Sequence, residues 1–329
     1  MTTIDVGAAI GSGFGLIRRK PLAVLAWGAL MALGIAALVA AYVGFFWNFY
    51  VNAAVFQAGG AQPTPAQTYR MVAAMLMGEG LFFMAVFTLQ LIYTIVSAAI
   101  WRAILHPEKS SWAYLRVGVT EVFVFLVRTA ASFVAGAPIF ILLPVMFIAL
   151  GLAVAFQQIV IAVVVYVLGV FAAIGAQLYL WLRFSLIGPM VVDDAKLHFI
   201  GAWQLSRGNV LRLFYIGLSL VGIGAIAEAI LLAVILLLIF VGFSSSAATM
   251  LGAWVAPVAP GTLRPWEMSL SSGVAEPLWI VLAIGGFLAI PVAGCFSAIF
   301  TAPWARAYRD LVPRPASPTP DVAPATALG

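Results

Sequence analysis

The sequence predicts an all-α membrane protein that crosses the bilayer six times and has both termini on the same side. Of its 329 residues, 64% are hydrophobic and only 8% are charged, which leaves too little polar surface for a soluble domain of this length. Six stretches are long and apolar enough to cross a hydrocarbon core about 30 Å thick. All but two of the 16 Lys and Arg residues fall on one side of those stretches.

The predicted spans are, in chain order, 22–47, 80–101, 130–154, 159–182, 210–241 and 278–302. Before the second span, Thr64, Pro65 and Gln67 form a capping-box pattern. The pattern predicts a short helix from Pro65 to about Met77, which breaks at Gly78-Glu79-Gly80. A tight turn joins spans three and four, and a long loop joins spans five and six. We expect residues 1–312 to form a single transmembrane domain, and the Pro-rich tail 313–329 to be disordered.

The basic residues predict the orientation of the chain. Only Arg70 and Arg264 fall in the loops opposite the basic side, so the positive-inside rule places both termini in the cytoplasm. The net charge of +5 follows from this distribution, because the basic rims would face anionic lipid headgroups. The expected partners are therefore membrane lipids, with other membrane proteins or a second copy of the chain, and no nucleic acid. The high Ala and Gly content favours a bacterial inner membrane.

The spans fall into three similar hairpins. Each even-numbered span ends in a Trp followed by an Arg, at Trp101, Trp181 and Trp304. Such a pair is typical of an anchor at headgroup depth. Each odd-numbered span follows a cytoplasmic segment of similar character, which predicts an interfacial helix before each hairpin. The pattern therefore indicates three repeated units that all start in the cytoplasm.

Glu228 is the leading candidate for a functional residue inside the membrane. It lies near the middle of the fifth span, where an ionised side chain costs at least about 2.5–3.5 kcal/mol. We expect it to be protonated, hydrogen-bonded to another helix or next to a water-filled cavity. A proton relay and a simple tether between helices both remain open at this stage.

Three further residues inside the spans are candidates. Gln90 and Gln177 are the strongest polar groups available to Glu228, although each lies on a face of small residues that favours helix packing. Pro291 should kink the sixth span and free a carbonyl near Phe287. The kink is a candidate part of a substrate path.

Asp193 and Asp194, with His198 nearby, are the candidate polar residues in the cytoplasmic connectors. Enzymes that act on lipid diphosphates hold Mg²⁺ with paired carboxylates and a third acid one turn further on, and here position 197 is Leu. A solvated turn is therefore the favoured interpretation. The single cysteine, Cys295, excludes an intrachain disulfide and a cysteine zinc site. We predict no metal and no cofactor.

Two connector segments, "WRAILHPEKSSWAYLRVG" and "RFSLIGPMVVDDAKLHFIGAWQLSRGNVLRLF", resemble those of bacterial six-span proteins. This group includes YciC-like proteins and the membrane domain attached to some glycerophosphoryl diester phosphodiesterases. The resemblance implies a polytopic membrane domain over most of residues 1–312. Phosphodiesterase activity is not implied, because the soluble catalytic domain of the fused members is missing.

The function expected from the sequence is that of a non-enzymatic scaffold, assembly factor or accessory subunit in an envelope or lipid-related process. One alternative is a small transporter or lipid translocator that uses Glu228 as a proton-sensitive group. A membrane enzyme that acts on lipids is the least favoured alternative, because no catalytic constellation is evident.

Overall fold

A computed structural model describes residues 3–58, 64–108, 112–197, 199–243 and 275–312. Over these ranges the chain is helical and contains no β-strand. A 3₁₀ turn at Trp112–Tyr114 accompanies the helices α1 (Val6–Arg19), α2 (Pro21–Ala58), α3 (Pro65–Leu105), α4 (Val119–Ala155), α5 (Ile159–Phe184), α6 (Ile187–Asp194), α7 (Phe199–Leu205), α8 (Val210–Phe243) and α9 (Ala275–Leu311).

Six of these helices, α2, α3, α4, α5, α8 and α9, are long and apolar enough to cross a membrane. The prediction of a membrane protein with six spanning helices is confirmed at this level. Every predicted span lies within one of these helices, and most of the helices extend beyond the apolar stretch. Residues 244–274, the tail 313–329 and His198 lie outside the described residues.

The predicted break at Gly78-Glu79-Gly80 is wrong, because α3 runs without interruption from Pro65 to Leu105. Gly78 is buried against α2, and a Cβ placed there would lie only 2.4 Å from the Phe45 ring. A glycine inside a helix is tolerated when it allows such a close approach, although it lowers intrinsic helix stability by about 1 kcal/mol.

The predicted interfacial helix before span three is also wrong. Between α3 and α4 the described residues contain only the 3₁₀ turn, and α4 continues directly into the span. The Trp27 indole donates a 2.8 Å hydrogen bond to the Ala113 carbonyl, while Arg102 pairs with Glu121 and donates to the Tyr114 carbonyl. These contacts hold the connector in a turn, whereas separate short helices do precede α2 and α8.

The third predicted hairpin does not pack like the first two. Helices α2 and α3 pack extensively, as do α4 and α5, whereas α8 and α9 contact each other far less. Helix α9 packs instead on α1, α2 and α3. It lies very close to α2 at Gly28, where a Cβ would lie 1.9 Å from the Ile290 carbonyl oxygen. The divergence of α8 from α9 leaves a groove between them.

The buried core lies toward the end of the bundle that carries α1, α6 and α7. Its largest fully buried side chains include Trp27, Ile100, Leu186, Leu213 and Ile216. Elsewhere the spanning helices expose large apolar side chains, and Phe171 of α5 is 70% exposed. Such a surface suits lipid and not water. The packed end is the end that the basic residues predict to be cytoplasmic.

Candidate functional site

A cavity of about 440 Å³ opens at the packed end of the bundle. It is walled by residues of α3, α4, α5, α6, α8 and α9, together with the turn between α5 and α6. The three tryptophans of the Trp–Arg motif, Trp101, Trp181 and Trp304, all line it. A motif recognised in the sequence as three separate anchors therefore converges on one site.

Two of these tryptophans are buried inside the protein and do not face outward as interface anchors would. Trp101 is 5% exposed and Trp304 is 7% exposed, whereas Trp181 is 47% exposed. The Trp101 indole donates a 3.1 Å hydrogen bond to the Thr301 carbonyl. The rings of Trp181 and Trp304 meet edge to face with their centroids 5.2 Å apart. The buried indoles thus have partners inside the protein and fix the cavity wall.

Helix α6 crosses close to the cavity because Gly188 has no side chain. A Cβ at this position would lie 2.1 Å from the Trp101 ring. Gly188 therefore allows the outer edge of the indole to approach the α6 backbone closely.

Among the residues that the structure describes, Arg128 is the only charged one that lines this cavity. It lies nine residues inside α4, about 14 Å from the start of the helix at the usual rise per residue. Its guanidinium donates to the Ser97 hydroxyl at 3.2 Å and lies 4.1 Å from the centre of the Tyr93 ring. Within the described ranges no carboxylate pairs with it. A permanent positive charge therefore faces the cavity without an anionic partner among the described residues.

Neutral polar groups also line this cavity. Gln90, Tyr93, Ser132, Ser185 and Thr301 all contribute to the cavity lining. Thr301 is 2% exposed, and its hydroxyl makes no hydrogen bond of normal geometry with the described residues, although Tyr93 lies nearby. Buried hydroxyls normally have partners. The Arg128 guanidinium, which can donate further hydrogen bonds, is therefore suited to bind an oxyanion.

A second cavity, of about 430 Å³, occupies the groove between α8 and α9. Glu228 lines it and is exposed there, and it forms no hydrogen bond or ion pair with a described residue. Glu228 therefore has no described residue as the partner that it would need in order to tether two helices. Val221 and Phe300 line both cavities, so the two spaces adjoin.

The other candidates inside the membrane do not converge on Glu228. Gln90 lines the first cavity, and Gln177 lines neither. Pro291 also lines neither cavity. It lies beside Ile290 where α9 crosses Gly28 of α2, at a tight helix contact.

The cytoplasmic acidic pair takes part in local contacts. Asp193 lies 3.2 Å from the His106 imidazole and accepts a 3.0 Å hydrogen bond from the Tyr308 hydroxyl. Asp194 accepts from the backbone N–H of Lys196 at 3.1 Å. Asp193 thereby links α6 to α9 and to the end of α3. In the part of the chain that the structure describes, no three His, Cys, Asp or Glu side chains form a group that could hold a metal ion.

Sequence reasoning missed Arg128, Tyr93 and Thr301. The signal that could have identified Arg128 is its position in the sequence, with apolar residues on both sides. In the structure these residues belong to one 37-residue helix. An ionisable residue that lies inside a spanning helix is by default a candidate functional residue.

Comparisons with family models, with curated proteins and with solved structures give no match. The resemblance to YciC-like proteins therefore stays a prediction.

Proposed function

We propose that this protein binds the headgroup of an anionic phospholipid at Arg128. In this proposal it serves as a non-enzymatic scaffold or accessory subunit in an envelope or lipid-related process. The observation that carries the proposal is a guanidinium without a carboxylate partner among the described residues, inside a cavity lined by three tryptophans.

The chemistry of the cavity supports a phosphate ligand. A guanidinium stays charged at any physiological pH, and a charge that is partly removed from water is stabilised by an anion that forms hydrogen bonds with it. Arg binds phosphate with two parallel hydrogen bonds, which are stronger than neutral ones. The Thr301 hydroxyl and the Gln90 amide are further groups in the cavity that could contact the same headgroup.

The depth of the cavity supports a lipid as the source of the phosphate. The cavity lies among the ends of the spanning helices and is bordered by tryptophans, which prefer headgroup depth in membrane proteins. We further propose that this end faces the cytoplasm of a bacterial cell and that both termini lie there. Tags near residues 60 and 260 should then react with a reagent confined to the outer compartment.

Lipid binding can be tested by native mass spectrometry of the purified protein with phosphatidylglycerol and phosphatidylcholine. We expect the wild-type protein to retain phosphatidylglycerol preferentially. Because hydrogen bonds to a charged group are worth about 1.5–3 kcal/mol, Arg128→Gln should weaken retention by about tenfold or more. Arg207→Gln makes the same charge change at an exposed position and should leave retention unchanged.

Two results would overturn the lipid-binding proposal. One is equal retention by the Arg128→Gln and Arg207→Gln variants. The other is displacement of the lipid by excess inorganic phosphate, which would show that the site prefers a free anion. If Arg128→Gln does not fold, Arg128→Lys keeps the charge but loses the paired geometry, and it should retain lipid at an intermediate level. An unchanged mass of the bound lipid over hours is expected of a protein that is not an enzyme.

A lipid translocator is the second candidate function. It is favoured by the adjoining cavities, which together extend from Arg128 to Glu228. A translocator should move a fluorescent phospholipid across proteoliposomes, and Glu228→Gln should abolish the flux. Absence of flux in the wild-type protein, with binding at Arg128 intact, would favour the scaffold.

A further inference from the structure

The described residues that line the groove between α8 and α9 are apolar except for one carboxyl group, that of Glu228. It is lined by Val221, Gly224, Ala225, Glu228, Leu231, Phe296 and Phe300. The rings of Phe296 and Phe300 are stacked, with their centroids 5.7 Å apart and their planes within 3° of parallel. These rings give the α9 side of the groove a flat aromatic surface.

The groove extends from the cavity that contains Arg128 toward the middle of the spanning region. Val221 and Phe300 belong to both spaces. Leu231 lies ten positions after Val221 on α8, which is about 15 Å along the helix. A molecule that leaves the Arg128 cavity on this side therefore meets a path along α8 that is apolar except at Glu228.

We propose that one acyl chain of the phospholipid bound at Arg128 lies in this groove. The inference rests on the proposed function, since Arg128 has to hold the headgroup. Charge complementarity places the phosphate in the first cavity, and the covalent link to the glycerol then places a chain at the junction formed by Val221 and Phe300. A hydrocarbon chain is the part of the lipid that matches the aromatic and aliphatic lining.

Gly224 determines how much room the chain has. A Cβ at this position would lie 2.9 Å from the tip of the Phe300 ring, so a large side chain there would fill the groove. Gly222 lies on the same helix, and a Cβ there would meet nothing within 4 Å. It does not line the groove. Gly222→Leu is therefore a matched control for Gly224→Leu.

The inference can be tested with a phosphatidylglycerol that carries a photoreactive diazirine in one acyl chain. After irradiation of the reconstituted protein, the labelled residues are mapped by mass spectrometry. We expect labelling to concentrate on the groove-lining parts of α8 and α9, above the level on the lipid-exposed face of α5 around Phe171. Unlabelled phosphatidylglycerol should compete for the site. A leucine side chain at position 224 would occupy space that the acyl chain needs, so the chain should be found in the groove less often. We therefore expect Gly224→Leu to lower groove labelling by about tenfold.

The outcomes separate this inference from the proposed function. If retention of lipid depends on Arg128 but labelling is as frequent on α5 as in the groove, or if Gly224→Leu labels like Gly222→Leu, the chain does not occupy the groove and only the inference is wrong. If retention does not depend on Arg128 at all, the headgroup proposal fails first. If Gly224→Leu does not fold, Gly224→Ala adds a single methyl group and should still lower labelling relative to Gly222→Ala.

Discussion

The crossing of α2 and α9 gives the sharpest prediction about stability. A Cβ at Gly28 would lie 1.9 Å from the Ile290 carbonyl oxygen, and a Cβ at Gly294 would lie 2.2 Å from the Val24 carbonyl oxygen. Both obstructing atoms belong to the backbone, so no side-chain rotation relieves the clash. To restore ordinary contact, Gly28→Ala has to separate the two helices by about 1.5 Å.

The direction of the stability change on replacing Gly by Ala distinguishes this crossing from an ordinary helix position. Replacing Gly by Ala inside a helix normally stabilises it by up to about 1 kcal/mol. At Gly28 the overpacking should outweigh this gain, because extra methyl groups in a packed interior cost about 1–3 kcal/mol. Gly286→Ala on α9, where a Cβ would meet nothing within 4 Å, should be neutral or stabilising.

The free energy of unfolding can be measured in mixed micelles by titration with SDS, with tryptophan fluorescence as the signal. The double variant Gly28→Ala, Gly294→Ala should lose less than the sum of the single losses, since one separation of the helices relieves both clashes. If Gly28→Ala is as stable as Gly286→Ala, the two backbones are not in contact and the packing of α9 on α2 described above is wrong.

Three further substitutions test local contacts. Glu121→Gln removes the partner of the Arg102 guanidinium and should lower the free energy of unfolding by about 3 kcal/mol; recovery in the double variant Arg102→Met, Glu121→Leu would separate loss of the pair from loss of packing. Trp27→Phe loses the hydrogen bond to the Ala113 carbonyl, worth about 1 kcal/mol, and should speed hydrogen exchange in the connector; unchanged exchange there would contradict the contact. Gly188→Ala should destabilise the protein and shift its tryptophan emission, and wild-type emission would show that the ring does not lie against α6.

The spanning helices could be predicted because the membrane sets the length of the apolar run. Their ends were less accurate for a physical reason. The apolar stretch of a sequence indicates only the part of a helix that contacts lipid. The hydrogen bonds of the helix can continue past that stretch into the headgroup region and beyond. Helix α9 accordingly reaches Leu311 although its apolar stretch was predicted to end at 302.

The site could be predicted only in part, because its residues come from several helices. The sequence shows that Trp101 and Trp304 lie at similar depth, but depth does not indicate whether a ring faces lipid or the interior. That choice depends on which helices pack together, and a single sequence does not contain that information. Arg128 lies just before the third predicted span, 130–154, whereas in the structure it lies inside α4, which runs from Val119 to Ala155.

The packing of α9 on α1 and α2 has a consequence for how the protein is made. The chain emerges from the ribosome at roughly 5–20 residues per second, so the surface around Gly28 is synthesised tens of seconds before Gly294. During that interval the early helices sit in the membrane without their final neighbour. A chaperone or insertase that shields small-residue surfaces would be most needed in this period, and shortened chains that stop before α9 should be recognised as unfinished and degraded.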